Sequence, residues 1–416
     1  MHVVVIGAGL VGVNTAHALL DAGHQVTLLD AEGPAAGASQ GNAGMIAHVD
    51  ILPLASPKVW RHLPRWLADP LGPLAIRPAY LPVLLPWLAR FLRASTPARI
   101  EHGTRALAAL NAAALPAWER RLNGLGLAER HLRRRGFLSV WPTEAGFRAA
   151  EPLLRRQAAL GIPVARLDRS GVRALEPALG ANIAAGAFYE SGVHVSDPRR
   201  LTRDLFDAAQ QRQARFVRAS AAGLVPSETG VEVRLRAADA LPADAAVLAA
   251  GAWSRPLAAA LGDRIPLDTE RGYNVTFPPA RLGLSRPVVF EGEGFVATPL
   301  DVGDRVGGAV EFGGLQAAPN WRRVDAILGR LKKFLPDADV SGGERWMGFR
   351  PSIPDSLPVI GPSRVTPRVI YAFGHGHYGL TQSAVTGEIV AGLLGGREAG
   401  LDIAPFRPGR FGIVSR

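Results

Sequence analysis

The chain has 416 residues, more than a single hydrophobic core ordinarily serves, and its 48% hydrophobic and 20% charged residues are those of a folded protein with room for a large ligand. Cysteine is absent, which excludes disulfides, thiolate metal sites, redox dithiols and cysteine nucleophiles. The net charge of +11 is almost all arginine, with Lys58, Lys332 and Lys333 the three lysines; this reads as a compositional swap, or as a basic face for anionic lipid or substrate, while the lone run Arg133-Arg134-Arg135 lacks the aromatics of a nucleic-acid platform.

The N-terminus is a strand that runs straight into a glycine loop, without the charged region, apolar stretch and cleavage site of an export signal, so cytoplasmic residence is the expectation. Val3 to Asp30 reads as one βαβ unit, with a helix over Leu10 to Ala22, Gly23 at its end and a second strand from Gln25. Gly7-Ala8-Gly9-Leu10-Val11-Gly12 is a dinucleotide fingerprint in its proper context, after a strand and opening a helix. Gly7 permits the tight turn, Gly9 lets a pyrophosphate approach the backbone, Gly12 lets helix and strand pack closely, and the helix N-terminus faces the anion. Asp30, followed by Ala31, ends the second strand, where a carboxylate can accept from adenosine ribose hydroxyls and would repel a 2′-phosphate. The fingerprint alone does not separate NAD from FAD. Gly37-Ala38-Ser39-Gln40-Gly41 copies a hydrolase nucleophile elbow, but it sits in a loop and runs into Asn42, not into a helix.

From about Asp50 to Arg155 the chain turns to Leu/Ala/Arg-rich helical stretches broken by Pro73, Pro78, Pro82, Pro86 and Pro97, which reads as a helical insertion. Its most apolar piece, Leu81 to Leu92, contains Pro82, Pro86 and Arg90 and falls short of the roughly 20 residues that span a bilayer. It reads as a buried helix or as an amphipathic segment resting on a membrane surface. A strand near Val193–Ser196, a helix over Pro198–Gln213 and strands ending in Ala245–Gly251 restore an α/β rhythm. Leu267 to Phe312 reads as strands with glycine turns in a mixed or antiparallel sheet, and the last unit is strand Val369–Phe373, a glycine turn and helix Leu380–Leu394.

Two further glycine segments narrow the choice. Ala249-Ala250-Gly251-Ala252-Trp253-Ser254 and Gly374-His375-Gly376-His377-Tyr378-Gly379-Leu380-Thr381 resemble the second and third flavin-contacting segments of the D-amino acid oxidase family, which takes in glycine and sarcosine oxidases and bacterial D-amino acid dehydrogenases. Ser39-Gln40-Gly41-Asn42-Ala43-Gly44-Met45-Ile46 resembles the flavin loop of the dehydrogenases, and Trp346 to Pro351 the family's Arg-Pro segment. Glu270-Arg271-Gly272-Tyr273 and the paired histidines are most similar to D-hydroxyproline dehydrogenases. The resemblance implies an α/β Rossmann-type FAD-binding domain, assembled from residues 1–55, 193–262 and 345–416. It implies as well an α+β substrate domain with a large mixed or antiparallel sheet and a helical insertion, formed by residues 56–192 and 263–344. FAD would be non-covalent, since no cysteine can tether it.

Oxidation of an amino acid needs hydride transfer from Cα to flavin N5, so the protein's task is orientation. A planar guanidinium fixes an α-carboxylate best, which makes Arg350 the leading anchor and Arg271 a second clamp. Tyr273 can add a hydroxyl; His48 and His377 are candidates for the pocket, with His375 beside the flavin, and an isolated His-Gly-His is no metal site. Glu311 reads as the structural partner of an arginine. The implied partners are a small amino acid, D-proline or 4-hydroxy-D-proline among the candidates, and a quinone or electron carrier, with nucleic acid excluded. The alternatives are an oxidase that reduces oxygen and a flavin subunit of a larger assembly.

Overall fold

The computed structural model describes residues 1–55, 69–397 and 400–412. The apolar run Val3-Val4-Val5 is fully buried because it forms the middle of a six-stranded sheet covered on both faces. Its strand order is Arg215–Arg218, Gln25–Asp30, His2–Ile6, Ala245–Leu248, Val369–Phe373 and Val359–Pro362. All neighbours are parallel except the last pair. On one face the helix Leu10–Asp21 lies against the helix Gly379–Leu394, close enough that a Cβ on Gly387 would sit 2.7 Å from Asn14 O. Asn14 stitches the two together, donating to Leu10 O at 3.0 Å and to Ser383 Oγ at 3.2 Å.

The second, nine-stranded sheet is mixed. Glu344–Ser352, Asp268–Thr276, Gly303–Phe312, Phe295–Leu300 and Val288–Phe290 follow one another antiparallel; Phe137–Trp141, Ala185–Tyr189 and Ala165–Asp168 continue it, and Leu74–Ile76 lies parallel to Gly303–Phe312. Tyr273, Val275, Phe277, Phe290 and the helix Arg322–Leu331 form the core on its far face. The strand 344–352 pairs within this sheet, whereas the sequence-based division puts residues from 345 onward in the cofactor unit. The division placed at 55/56 abuts residues 56–68, which lie outside the described ones.

The stretch read as helical holds both helices and strands. Leu81–Ala94 and the long Pro97–Gly124 are helices, yet Phe137–Trp141 is a buried strand, since a short apolar run bounded by glycine suits a sheet interior as well as a helix. Trp118, from the long helix, is fully buried and donates from Nε1 to Leu380 O at 2.9 Å, which fixes the insertion against the last helix.

Candidate active site

The three glycine segments meet because each follows the carboxyl end of a neighbouring parallel strand. Gly7 follows the strand His2–Ile6, Ala249–Gly251 the strand Ala245–Leu248, and Gly374–Gly376 the strand Val369–Phe373. Ligands of open parallel sheets bind at that edge. A cavity of about 1460 Å³ starts there, between Gly7, Asp30 and Gly251, and extends along the large sheet to Glu270, Arg305 and Arg350.

The residues present fit a dinucleotide. A Cβ on Gly7, whose φ is +113°, would run into Ala249 O, and one on Gly12 into Gly7 O, so turn and helix start admit glycine only. Gly9 leaves the approach open and caps the helix without a side chain. Ser39 Oγ accepts from Leu10 N–H at 2.9 Å, while the amides of Val11 and Gly12 have no carbonyl one turn back and remain available to an anion. Asp30 accepts from Ala8 N–H at 2.8 Å and from Glu32 and Gly33 N–H at 2.9 and 3.0 Å. A carboxylate has about four acceptor positions, so one is left for a ligand hydroxyl. Ala31 lines the cavity beside it.

The loop Asn42-Ala43-Gly44-Met45 lines the middle of the cavity and is tied down from three sides. Arg305 donates to Asn42 O at 2.8 Å, Asn274 to Gly41 O at 2.6 Å, and Ala47 N–H to Thr381 Oγ1 at 2.9 Å. Thr381 therefore stands behind the lining as a brace, and Gly12 and Gly374 likewise shape the cavity without lining it. Gly251, Trp253, Gly376, Tyr378, Gly379 and Leu380 line it, with Trp253 edge-on to Phe349. His375 lines it too; its Nε2 lies 3.0 Å from Thr386 Oγ1, and burial pushes its pKa down to about 3, so the ring is neutral.

The strand Asp268–Thr276 decides the catalytic candidates, because alternate residues point to opposite faces. Glu270, Gly272 and Asn274 reach the cavity, and Tyr273 borders it although its hydroxyl lies on the other side. Arg271 points the other way: it is fully buried, donates to Gly314 O at 2.8 Å, to Ala318 O at 3.2 Å and to Ala317 O, and lies 3.6 Å from Glu311. It is a structural residue, not a second clamp. The Tyr273 hydroxyl is on that side too, donating to Glu311 Oε2 at 2.5 Å and accepting from Asn320 N–H at 3.1 Å. Glu311 pairs with Arg77 at 3.2 Å, so it is the partner of arginines that the sequence suggests. His48 lies outside the lining, its Nδ1 3.1 Å from Ile46 O.

Arg350 and His377 do meet in the cavity, around a residue that the sequence reading did not select. Glu270 is buried, its Oε2 2.7 Å from His377 Nε2, and Ser352 Oγ donates to its Oε1 at 2.5 Å. Burial alone would raise its pKa, but His377, Ser352 and Arg350 outweigh it and hold the carboxyl below its ordinary value. Arg350 donates from Nη1 to Ala309 O at 2.9 Å, and burial lowers its pKa against the pull of Glu270. The available signal was the alternation itself: once Arg271 faces one side, Glu270 must face the other. Asp50, also in the lining, is pushed up to about 7 by burial, with Glu291 adding to the rise.

A family model described as FAD dependent oxidoreductase matches residues 2–393. The chain is 38% identical over 417 residues to a D-amino-acid oxidase of Bradyrhizobium diazoefficiens, covering 99% of both chains. It is 32% identical to D-amino acid dehydrogenase 2 of Ralstonia nicotianae over 98% of this chain and 99% of that one. Among solved structures, glycine oxidase from Geobacillus kaustophilus superposes with a TM-score of 0.77 at 22% identity over 98% of each chain, a likeness of fold.

Proposed function

The chain belongs to the FAD dependent oxidoreductase family, and from that premise we propose that it dehydrogenates a D-amino acid whose carboxylate is held by Arg350. The observation that carries the reading is the guanidinium itself: it lines the cavity with a single protein hydrogen bond among the described residues, to Ala309 O. Its remaining donors suit a carboxylate taken bidentately in a site of low dielectric.

Bound along the glycine segments, FAD supplies the two-electron acceptor for the hydride leaving Cα. The amides of Val11 and Gly12 would take its pyrophosphate, Asp30 its adenosine ribose, and Asn42 to Met45 with His375, Gly376 and Tyr378 to Leu380 its ring, while His377 turns to Glu270. Residues 1–55, 193–262 and the segment after the strand 344–352 form the FAD unit in this reading, and the large sheet forms the substrate unit. The substrate loses hydride and proton to become an imino acid, which water hydrolyses. Relatives named for D-amino acid oxidation support the substrate class, and D-proline and 4-hydroxy-D-proline head the panel to be tried.

We assign the acceptor as a quinone. The helix Leu81–Ala94 buries Leu84 and Trp87 against Phe312 but leaves Leu81, Val83, Leu85 and Leu92 exposed, beside Arg90 and Arg93. Leu81, Leu85 and Leu92 also line the cavity, so a route in runs from that apolar face, which suits peripheral contact with an anionic membrane. No helix among the described residues is long and apolar enough to cross one. Peroxide formed at the full turnover rate would instead identify an oxidase.

Arg350→Ala tests the anchor. It leaves the substrate anion unpaired, a loss of about 2–5 kcal/mol, or about 30- to 5,000-fold in kcat/KM, with normal FAD content and partial recovery in Arg350→Lys. Near-normal kcat/KM, or loss of FAD with activity, refutes the assignment. Acid precipitation should release intact FAD into the supernatant, since no thioether can form; flavin left in the pellet would mean a tether to histidine.

A further inference from the structure

Glu270 and Arg350 stand opposite each other in register across adjacent antiparallel strands. An ionised carboxylate next to a guanidinium in a largely buried site would ordinarily close on it as a bidentate pair. Here it does not. Ser352 Oγ holds Oε1 at 2.5 Å and His377 Nε2 lies 2.7 Å from Oε2, so each oxygen is engaged by another group and neither makes a hydrogen bond to the guanidinium. Arg350 gives one hydrogen bond to Ala309 O, and its side chain occupies the space that Gly272 leaves by having no Cβ. His377 meets that carboxylate through Nε2, the ring nitrogen that faces Oε2.

We infer that Glu270 is a positioning residue of the substrate site, restrained by His377 and Ser352 so that it balances the charge of Arg350 without pairing with it. The guanidinium thus stays open to a substrate carboxylate. This rests on the reading of Arg350 as the anchor. The substrate anion and Glu270 are rivals for one guanidinium, and the histidine and serine settle the contest in favour of the substrate. Without the restraint the cavity would contain an internal ion pair, and a ligand carboxylate would have to break it before binding.

The test uses the FAD-loaded protein and propionate, a carboxylate with no amine to oxidise, titrated by perturbation of the visible flavin band. His377→Ala frees Oε2 to turn onto Arg350 and should raise the Kd for propionate about tenfold or more, with KM for the best D-amino acid rising in parallel. Ser352→Ala frees Oε1 and should act in the same direction. His377→Gln, which can still donate to Oε2, should stay within about threefold of the parent. The decisive variant is the double His377→Ala with Glu270→Gln: with no anion left to compete, Kd should return to within about threefold of the parent. An unchanged Kd in His377→Ala overturns the inference, as does a double variant that binds as weakly as the single one, since a purely structural lesion is not repaired by a second. Arg350→Ala separates the premises: if it binds propionate as the parent does, the anchor reading itself has failed, whatever the other variants do.

Discussion

Gly272→Ala is a one-methyl test of the substrate site. Gly272 faces Gly348 across the strand pair, and a Cβ added to it would lie 2.6 Å from Arg350 Nη1, with Nη2 and Cζ nearer still. Ordinary contact begins near 3.4 Å, so the guanidinium must retreat by about 1 Å. The backbone imposes no cost of its own, because Gly272 does not adopt a positive φ. Two parallel hydrogen bonds to a carboxylate do not survive such a shift intact, and a misplacement of about 1 Å can cost about 100-fold. Anaerobic flavin bleaching by the best D-amino acid should show kcat/KM lower by about that factor, with FAD content and melting temperature close to the parent's. A variant within about threefold of the parent would show that the guanidinium's position is irrelevant to substrate binding. Loss of FAD would show that the strand serves the cofactor.

Two further outcomes follow from the cavity. Gly9→Val should purify without FAD, because a side chain beside Ser39 Oγ blocks the approach of a pyrophosphate; full flavin content in that variant would make the loop a mere turn. Asp50, raised from 3.8 to about 7, favours the protonated native state, so its stabilisation is complete below about pH 4 and lost as pH rises through about 7. The gain in melting temperature of Asp50→Asn over the parent should therefore be larger at pH 8 than at pH 5, and a gain independent of pH would refute the raised pKa.

The parts that were legible in the sequence are those whose chemistry is local. The glycine fingerprint, Asp30 and the Gly374–Gly379 turn declare themselves within a few residues, since strand, turn and helix start are adjacent in the chain. What was not legible is which face of a strand looks inward. Glu270 and Arg271 are neighbours, and a period of two sends one to the cavity and the other into the packing under residues 314–318; only the pairing with the strand 344–352 decides which. His48 failed for a related reason, because a loop histidine can turn its ring to a nearby carbonyl. Phe137–Trp141 was absorbed into the helical insertion because four apolar residues around Ser139 are too short a run to show a period.

The order of strands in the six-stranded sheet has a consequence for biosynthesis. The strand His2–Ile6 leaves the ribosome well before its neighbour Ala245–Leu248, which is made some two hundred and forty residues later, and Val369–Phe373 later again. Until then Gly7 has no Ala249 to turn against and the helix Leu10–Asp21 has no Gly379–Leu394 to cover it. The nascent chain must carry an apolar parallel strand with an open edge while the next two hundred and forty or so residues are made, a state prone to misassociation and relieved only by contacts distant in sequence. A cofactor platform built in this way is incomplete until residue 373 has been made, so flavin capture waits on that strand and a chain cut before residue 369 should neither bind flavin nor stay in solution.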